Sequence, residues 1–237
     1  MNSFGGMKTL LFPILIKLWR MSSSGFRANL VPGLVLWAVG LGVVLTYYFL
    51  ESSRGFFESV MEIKRTYGFL YSFIATAFFG GFIPFLYLWA AGRINAGMVS
   101  RHAAFFVFYW GGRGIDVDAF YRLQSLLFGD NLNWTTIATK VFVDQFVYCT
   151  LWAAPITAVF YGWKDCDFSW SQFRKTTTKQ SFLFEIARLL LSTWLVWIPA
   201  TAIIYSLPQP LQVPLFSLTL CFFVLLVSVL SRKEGRS

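Results

Sequence analysis

Long uncharged stretches dominate the chain, and they are separated by short polar connections. The intervals Arg27 to Glu51, Arg65 to Arg93, Asp144 to Lys164 and Arg188 to Arg232 enclose 23, 27, 19 and 43 uncharged residues. A bilayer core of about 30 Å needs roughly 20 apolar residues in helical form, so each interval holds at least one span. The last contains Pro199, Pro208, Pro210 and Pro214, and it accommodates a helix, a proline-rich bend over "SLPQPLQVP" and a second helix. The pattern predicts an all-α integral membrane bundle of four or five transmembrane helices. Residues 1–237 show no internal repeat or long linker, so they are read as one domain.

The intervening segments read as surface elements. "HAAFFVFYWGG", 11 residues between Arg101 and Arg113, is too short to cross and is expected to be interfacial or re-entrant. Asp118 is expected to cap a helix over residues 119–128 that ends at Gly129, with Phe120, Leu123 and Leu127 on one face along the membrane surface. Glu58, Glu62 and Lys64 suit a short surface helix. Gly33, Gly40 and Gly42 offer close approach to another helix, and Gly80, Gly81 and Pro84 mark a kink.

Composition agrees with a membrane protein: 57% of residues are hydrophobic, 20% are aromatic and only 13% are charged. The net charge of +9 is scattered over every loop, which fits anionic headgroups better than nucleic acid. Lys and Arg divide 8 to 10 between the two sides of a five-span arrangement, so they do not orient it. Residues 1–28 are basic and free of acids; they read either as an organellar targeting segment or as a retained interfacial helix over "KTLLFPILIKLWR". Cys149, Cys166 and Cys221 have no metal or redox spacing and are expected as free thiols. Asp116 and Asp118 lack the third ligand that a cation site needs, and the glycines of "GGRG" do not follow a phosphate-loop pattern. His102, the sole histidine, has no acid or nucleophile near it in sequence. No enzyme, no cofactor and no metal are expected.

The candidate chemistry lies at two helix entrances. Lys140 and Asp144 share a helix face, with Gln145 beside them, and Glu185, Arg188 and Ser192 share another. Charges near the membrane cost about 2.5–3.5 kcal/mol each at a helix centre unless paired or hydrated, so these groups require partners; Asp144 with Arg188 is the expected cross-helix pair. Trp197 precedes Pro199, whose missing N–H frees carbonyls one turn earlier for Thr201, a neighbouring helix or a hydrated lumen.

The second half, roughly residues 118–231, resembles the peroxisomal 22-kilodalton membrane protein family and its mitochondrial inner-membrane relatives. That family's aromatic pair is followed by a Lys-x-x-x-Asp-Gln element with a downstream proline. Phe120 and Tyr121, then Lys140, Asp144, Gln145 and Pro155, stand in those places. Trp197, Pro199, Tyr205, Pro208 and Gln212 follow the family's next motif, with Thr201 and Ile204 where it carries glutamine and asparagine. The resemblance implies a multi-span protein of a mitochondrial inner or peroxisomal membrane with weakly selective channel activity; were the host a bacterium, the cytoplasmic membrane is expected instead. The function expected is a pore or small-solute permeation protein, with Lys140, Asp144, Gln145, Glu185, Arg188, Trp197 and Pro199 as candidates. The alternative is a structural or accessory membrane protein whose charges only tie helices. The partners expected are the lipid bilayer, small solutes and further copies of the chain, and no nucleic acid.

Overall fold

The structure is a computed structural model; it describes residues 30–31 and 33–234, with the side chains of Arg188, Ser192 and 226–234 outside the description. The described residues form helices and no strand. They comprise α1 (Gly33–Phe49), α2 (Glu51–Ala90), α3 (Val99–Phe128), α4 (Trp134–Asp165), α5 (Trp170–Thr176), α6 (Lys179–Tyr205) and α7 (Gln209–Glu234). The targeting or interfacial segment 1–28 lies outside the described residues.

Two helices, α2 and α4, are long and apolar enough to cross a membrane, and α6, bent by 48° between Lys179–Leu191 and Thr193–Tyr205, makes a third if it is one span. The apolar stretches Gly33–Phe49 and Gln209–Leu225 are shorter. Burial is inverted in places relative to a water-soluble bundle: on α3, Asp118 is 0% and Gln124 1% exposed, while Leu126 is 83% exposed. A fold that turns carboxamides inward and leucine outward is compatible with a lipid environment.

The expected interfacial stretch after Arg101 is instead the first part of the 30-residue α3, which runs antiparallel along α2. Glycine explains why so polar a helix can enter the bundle. A Cβ on Gly111 would lie 2.5 Å from the Phe73 ring, one on Gly114 2.2 Å from Ser72 O, and one on Gly81 2.5 Å from Phe106 O. Backbones that close leave no room for a methyl group, so the "GGRG" glycines are a helix-crossing surface. Gly112 faces open space. Gly129 ends α3 with φ +74°, as its position suggests. Asp118 is no cap, because it sits in the middle of α3 with its carboxylate buried.

Two prolines shape the spans. Pro84 and Pro155 lack the N–H that would close an ordinary turn, and each is preceded by π-helical backbone, Ala77–Phe82 and Val143–Ala153. The expected kink at Gly80 and Gly81 takes this form. The sharper break in α2 is at Gly68, whose φ of +52° and ψ of −121° only glycine adopts readily. In α6, Pro199 cannot bond Leu195 O, and the next carbonyl, Val196 O, accepts from the Trp37 indole of α1 at 2.9 Å. Gly33 and Gly40 admit Val196 and Ile203 there, whereas Gly42 meets nothing. A core of Phe57, Val117, Tyr121, Val141, Ile204, Tyr205 and Leu211 joins α2, α3, α4, α6 and α7.

Candidate functional site

The π-helical stretch of α4 positions the Lys-x-x-x-Asp-Gln residues. Widening the helix from four-residue to five-residue closure rotates Asp144 and Gln145 into the bundle, where they are 4% and 2% exposed. The Gln145 carbonyl takes hydrogen bonds from Trp194 Nε1 of α6 at 3.1 Å and from Thr150 Oγ1 at 3.3 Å. Asp144 accepts from Tyr205 Oη at 2.5 Å, from Gln145 Nε2 at 2.9 Å and from Cys149 Sγ at 3.5 Å. Tyr205 in turn accepts from Gln124 Nε2 of α3. One relay, Gln124 to Tyr205 to Asp144, thus crosses three helices.

Lys140 does not pair with Asp144. It reaches Asp130, in the α3–α4 connection, at 3.0 Å, and Ser125 at 3.5 Å, with Tyr205's ring centre 5.9 Å away. The connection turns back at Gly129, which swings Asp130 beneath Lys140 and leaves Asp144 to the tyrosine. Burial pushes the Asp130 carboxyl up, but hydrogen bonds from Ser125 and Lys140, together with the Lys140 charge, outweigh it and hold it below the ordinary 3.8.

Above this relay lies a small polar vestibule of about 10 Å³, bordered by Asp130, Thr136, Lys140, Tyr205, Gln209 and Gln212. That is room for about one water. Three amide atoms in or beside it, Gln124 Oε1, Gln209 Nε2 and Gln212 Oε1, are buried without a hydrogen-bond partner in the protein. No family model, curated protein or solved structure matches the chain. The site therefore rests on its own geometry.

The remaining predicted residues are Glu185, Arg188, Trp197 and Pro199. Glu185 is half-buried near the start of α6, and the side chain of Arg188 lies outside the described residues, so the expected Asp144–Arg188 pair does too. Trp197, two residues before Pro199, packs on Phe216 and Phe223 of α7, both at 5.7 Å between ring centres. Thr201 bonds the carbonyls of Trp197 and Ile198 within its own helix, at 2.8 and 3.1 Å. Among the described residues no group of His, Cys, Asp and Glu could hold a metal ion, and the three cysteines are free.

Sequence reasoning missed two clusters. At the Gly68 break, Asp118 accepts from Lys64 at 2.7 Å, from Ser72 at 2.8 Å and from Arg122 at 3.1 Å; Lys64, 2% exposed, also donates to Gly68 O at 3.1 Å. Farther along α3, Asp116 takes Arg113, Tyr148 at 2.9 Å and Trp152 at 3.0 Å. Both involve α3, whose charges disqualified it as a buried helix. The spacing of Asp118 and Arg122, four apart, was the available signal.

Proposed function

We propose that this chain is a multi-span membrane protein that passes a small polar solute along the vestibule and the Tyr205–Asp144 relay, which is the constriction of the path. In this reading α2, α4 and α6 span the bilayer together with the shorter apolar α1 and α7. The charged α3 returns beside α2 with its ionic groups turned into the protein. The observation that carries the proposal is that Gln209 and Gln212, which line a cavity of one-water size, each leave a buried amide atom unpartnered, as does Gln124, which bonds the cavity-lining Tyr205. Buried carbonyl and amide groups cost free energy unless a donor, acceptor or water completes them, and they line polar routes for that reason. The resemblance of Lys140, Asp144 and Gln145 to the peroxisomal 22-kilodalton family supports the same reading, and with it an organellar or bacterial inner membrane.

Tyr205 closes the route by its hydroxyl, so Tyr205→Phe removes both the Asp144 contact and the acceptor for Gln124 while preserving the ring. Reconstituted liposomes loaded with a small neutral osmolyte test this directly. Wild-type chain is expected to permit slow efflux, and Tyr205→Phe or Asp144→Asn to change its rate at least severalfold with the fold retained. Efflux no faster than from empty liposomes, for all three, refutes the path. A second reading, interhelical tie without transport, is favoured by one feature: Asp144 has three hydrogen bonds within the protein. It predicts loss of folded protein in Asp144→Asn and no flux from the wild type.

A further inference from the structure

Away from the relay, α3 and α4 diverge around a groove of about 700 Å³, within the 300–1,000 Å³ typical of small-ligand sites. Its walls are almost wholly apolar, with Phe105, Phe108, Ile156 and Phe160 along the length. The groove follows α3 from Arg101 to Asp116, 15 residues, which at 1.5 Å per residue is about 22 Å, the extent of one extended acyl chain. Gly112 lines the groove about one turn from Asp116, and a Cβ there would meet nothing. The absence of a side chain keeps the channel continuous.

Charge distinguishes the two ends. At the inner end Arg113 is neutralised by Asp116; Arg113 also donates to Tyr148, and Tyr148 and Trp152 donate to Asp116, so that end carries no net charge. At the outer end the exposed Arg101 has a sulfur contact to Met98 and no carboxylate partner among the described residues. Trp163, stacked on Trp170 and edge-on to Phe168, borders the same end. Aromatic residues of this kind collect at the headgroup level of a bilayer. An aromatic-walled slot of acyl length, neutral at its depth and cationic at its mouth, is complementary to one class of amphiphile.

We infer that the α3–α4 groove is a binding site for an anionic phospholipid, with one acyl chain in the slot and the headgroup phosphate on Arg101. The site is independent of the proposed solute path and shares no residue with it. Trp152 and Trp163 line the groove and report its occupancy.

The test is tryptophan quenching of the full chain in liposomes of zwitterionic phosphatidylcholine containing a small fraction of phosphatidylglycerol. The bromine label is carried on the chains of one lipid or the other. The expected result is about a fivefold preference for the anionic lipid at the quenched site, the scale one basic side chain supplies at an anionic surface. Arg101→Gln should abolish that preference, and Gly112→Leu, whose side chain enters the slot, should remove the quenching of Trp152 and Trp163. The double variant Trp152→Phe/Trp163→Phe should lose the selective component while keeping the quenching common to both lipids. Equal quenching by the two lipids in the wild type, or a preference that survives both Arg101→Gln and Gly112→Leu, overturns the site.

Discussion

Asp118→Asn is the substitution whose outcome the structure fixes most tightly. Asp118 is fully buried and is the common acceptor for Lys64, Ser72 and Arg122, at 2.7, 2.8 and 3.1 Å. Asparagine keeps one acceptor oxygen but removes the charge, leaving the 2%-exposed Lys64 ammonium buried without its counter-ion. Stranding one member of a buried ion pair costs about 3–5 kcal/mol, so Asp118→Asn is expected to destabilise by that amount. The reverse change is milder. In Lys64→Met the carboxylate retains Ser72 and Arg122, whose side chain is 45% exposed and stacks on Phe69 at 4.7 Å, and the loss should be about 1–3 kcal/mol. Removing both charges leaves no orphan, so Lys64→Met/Asp118→Asn should be more stable than Asp118→Asn alone, with a coupling of about 1–3 kcal/mol. Unfolding in mixed micelles by stepwise addition of SDS, followed by circular dichroism, measures all four proteins. An Asp118→Asn variant within about 1 kcal/mol of wild type, or a double variant less stable than it, would refute the ion-pair argument.

Other substitutions follow from local geometry. Gly114→Ala puts a methyl group 2.2 Å from the Ser72 carbonyl and should destabilise by about 1–3 kcal/mol, whereas Gly112→Ala meets nothing and should stabilise by about 0.5–1 kcal/mol through helix propensity; the same unfolding assay separates them. Trp37→Phe deletes the donor to Val196 O beside Pro199 and should cost about 1–3 kcal/mol, with a change in α6 seen as altered protection of its amides from hydrogen exchange. Asp130 has a depressed pKa in the fold, so its contribution is present above the unfolded value of 3.8 and fades as pH falls below it. The stability difference between wild type and Asp130→Asn is therefore expected to be constant well above pH 3.8 and to close below it.

What the sequence disclosed depended on whether a residue's role is local. Uncharged intervals located the apolar helices α1, α6 and α7 and the apolar parts of α2 and α4, because a run of uncharged residues is a one-dimensional property, but of these only α2 and α4, with α6 as one bent span, are long and apolar enough to cross. Gly129 and Pro84 could be read for the same reason: a helix end and a lost N–H act on their own turn. The partner of Lys140 could not. Spacing put Asp144 on its face, but the π-helical backbone of Val143–Ala153 adds residues per turn and carries Asp144 away toward Tyr205, while a turn of chain brings Asp130 in. Register of that kind depends on which carbonyls neighbouring helices satisfy, here Gln145 O by Trp194, and no linear pattern encodes it. Helix α3 misled for a related reason. Its five charges read as surface polarity, yet the glycines that matched no phosphate loop are what allow α2 close enough to bury Asp118.

Taken together, the ionic groups divide by how completely they are satisfied, and that division separates structure from candidate chemistry. Asp118 and Asp116 each meet a cation and two or more further donors, so nothing is left over at either cluster. The Asp144 relay differs. Its carboxylate is held by a tyrosine hydroxyl, an amide and a thiol, all neutral, and its outer end passes through Gln124 and the vestibule, where amide atoms remain unmatched. A fold under selection for stability alone gains by matching such atoms or replacing them with apolar groups, which at similar volume is neutral or favourable. The unmatched amides at one end of a carboxylate relay, beside a cavity that takes about one water, are the feature on which the proposed polar route rests.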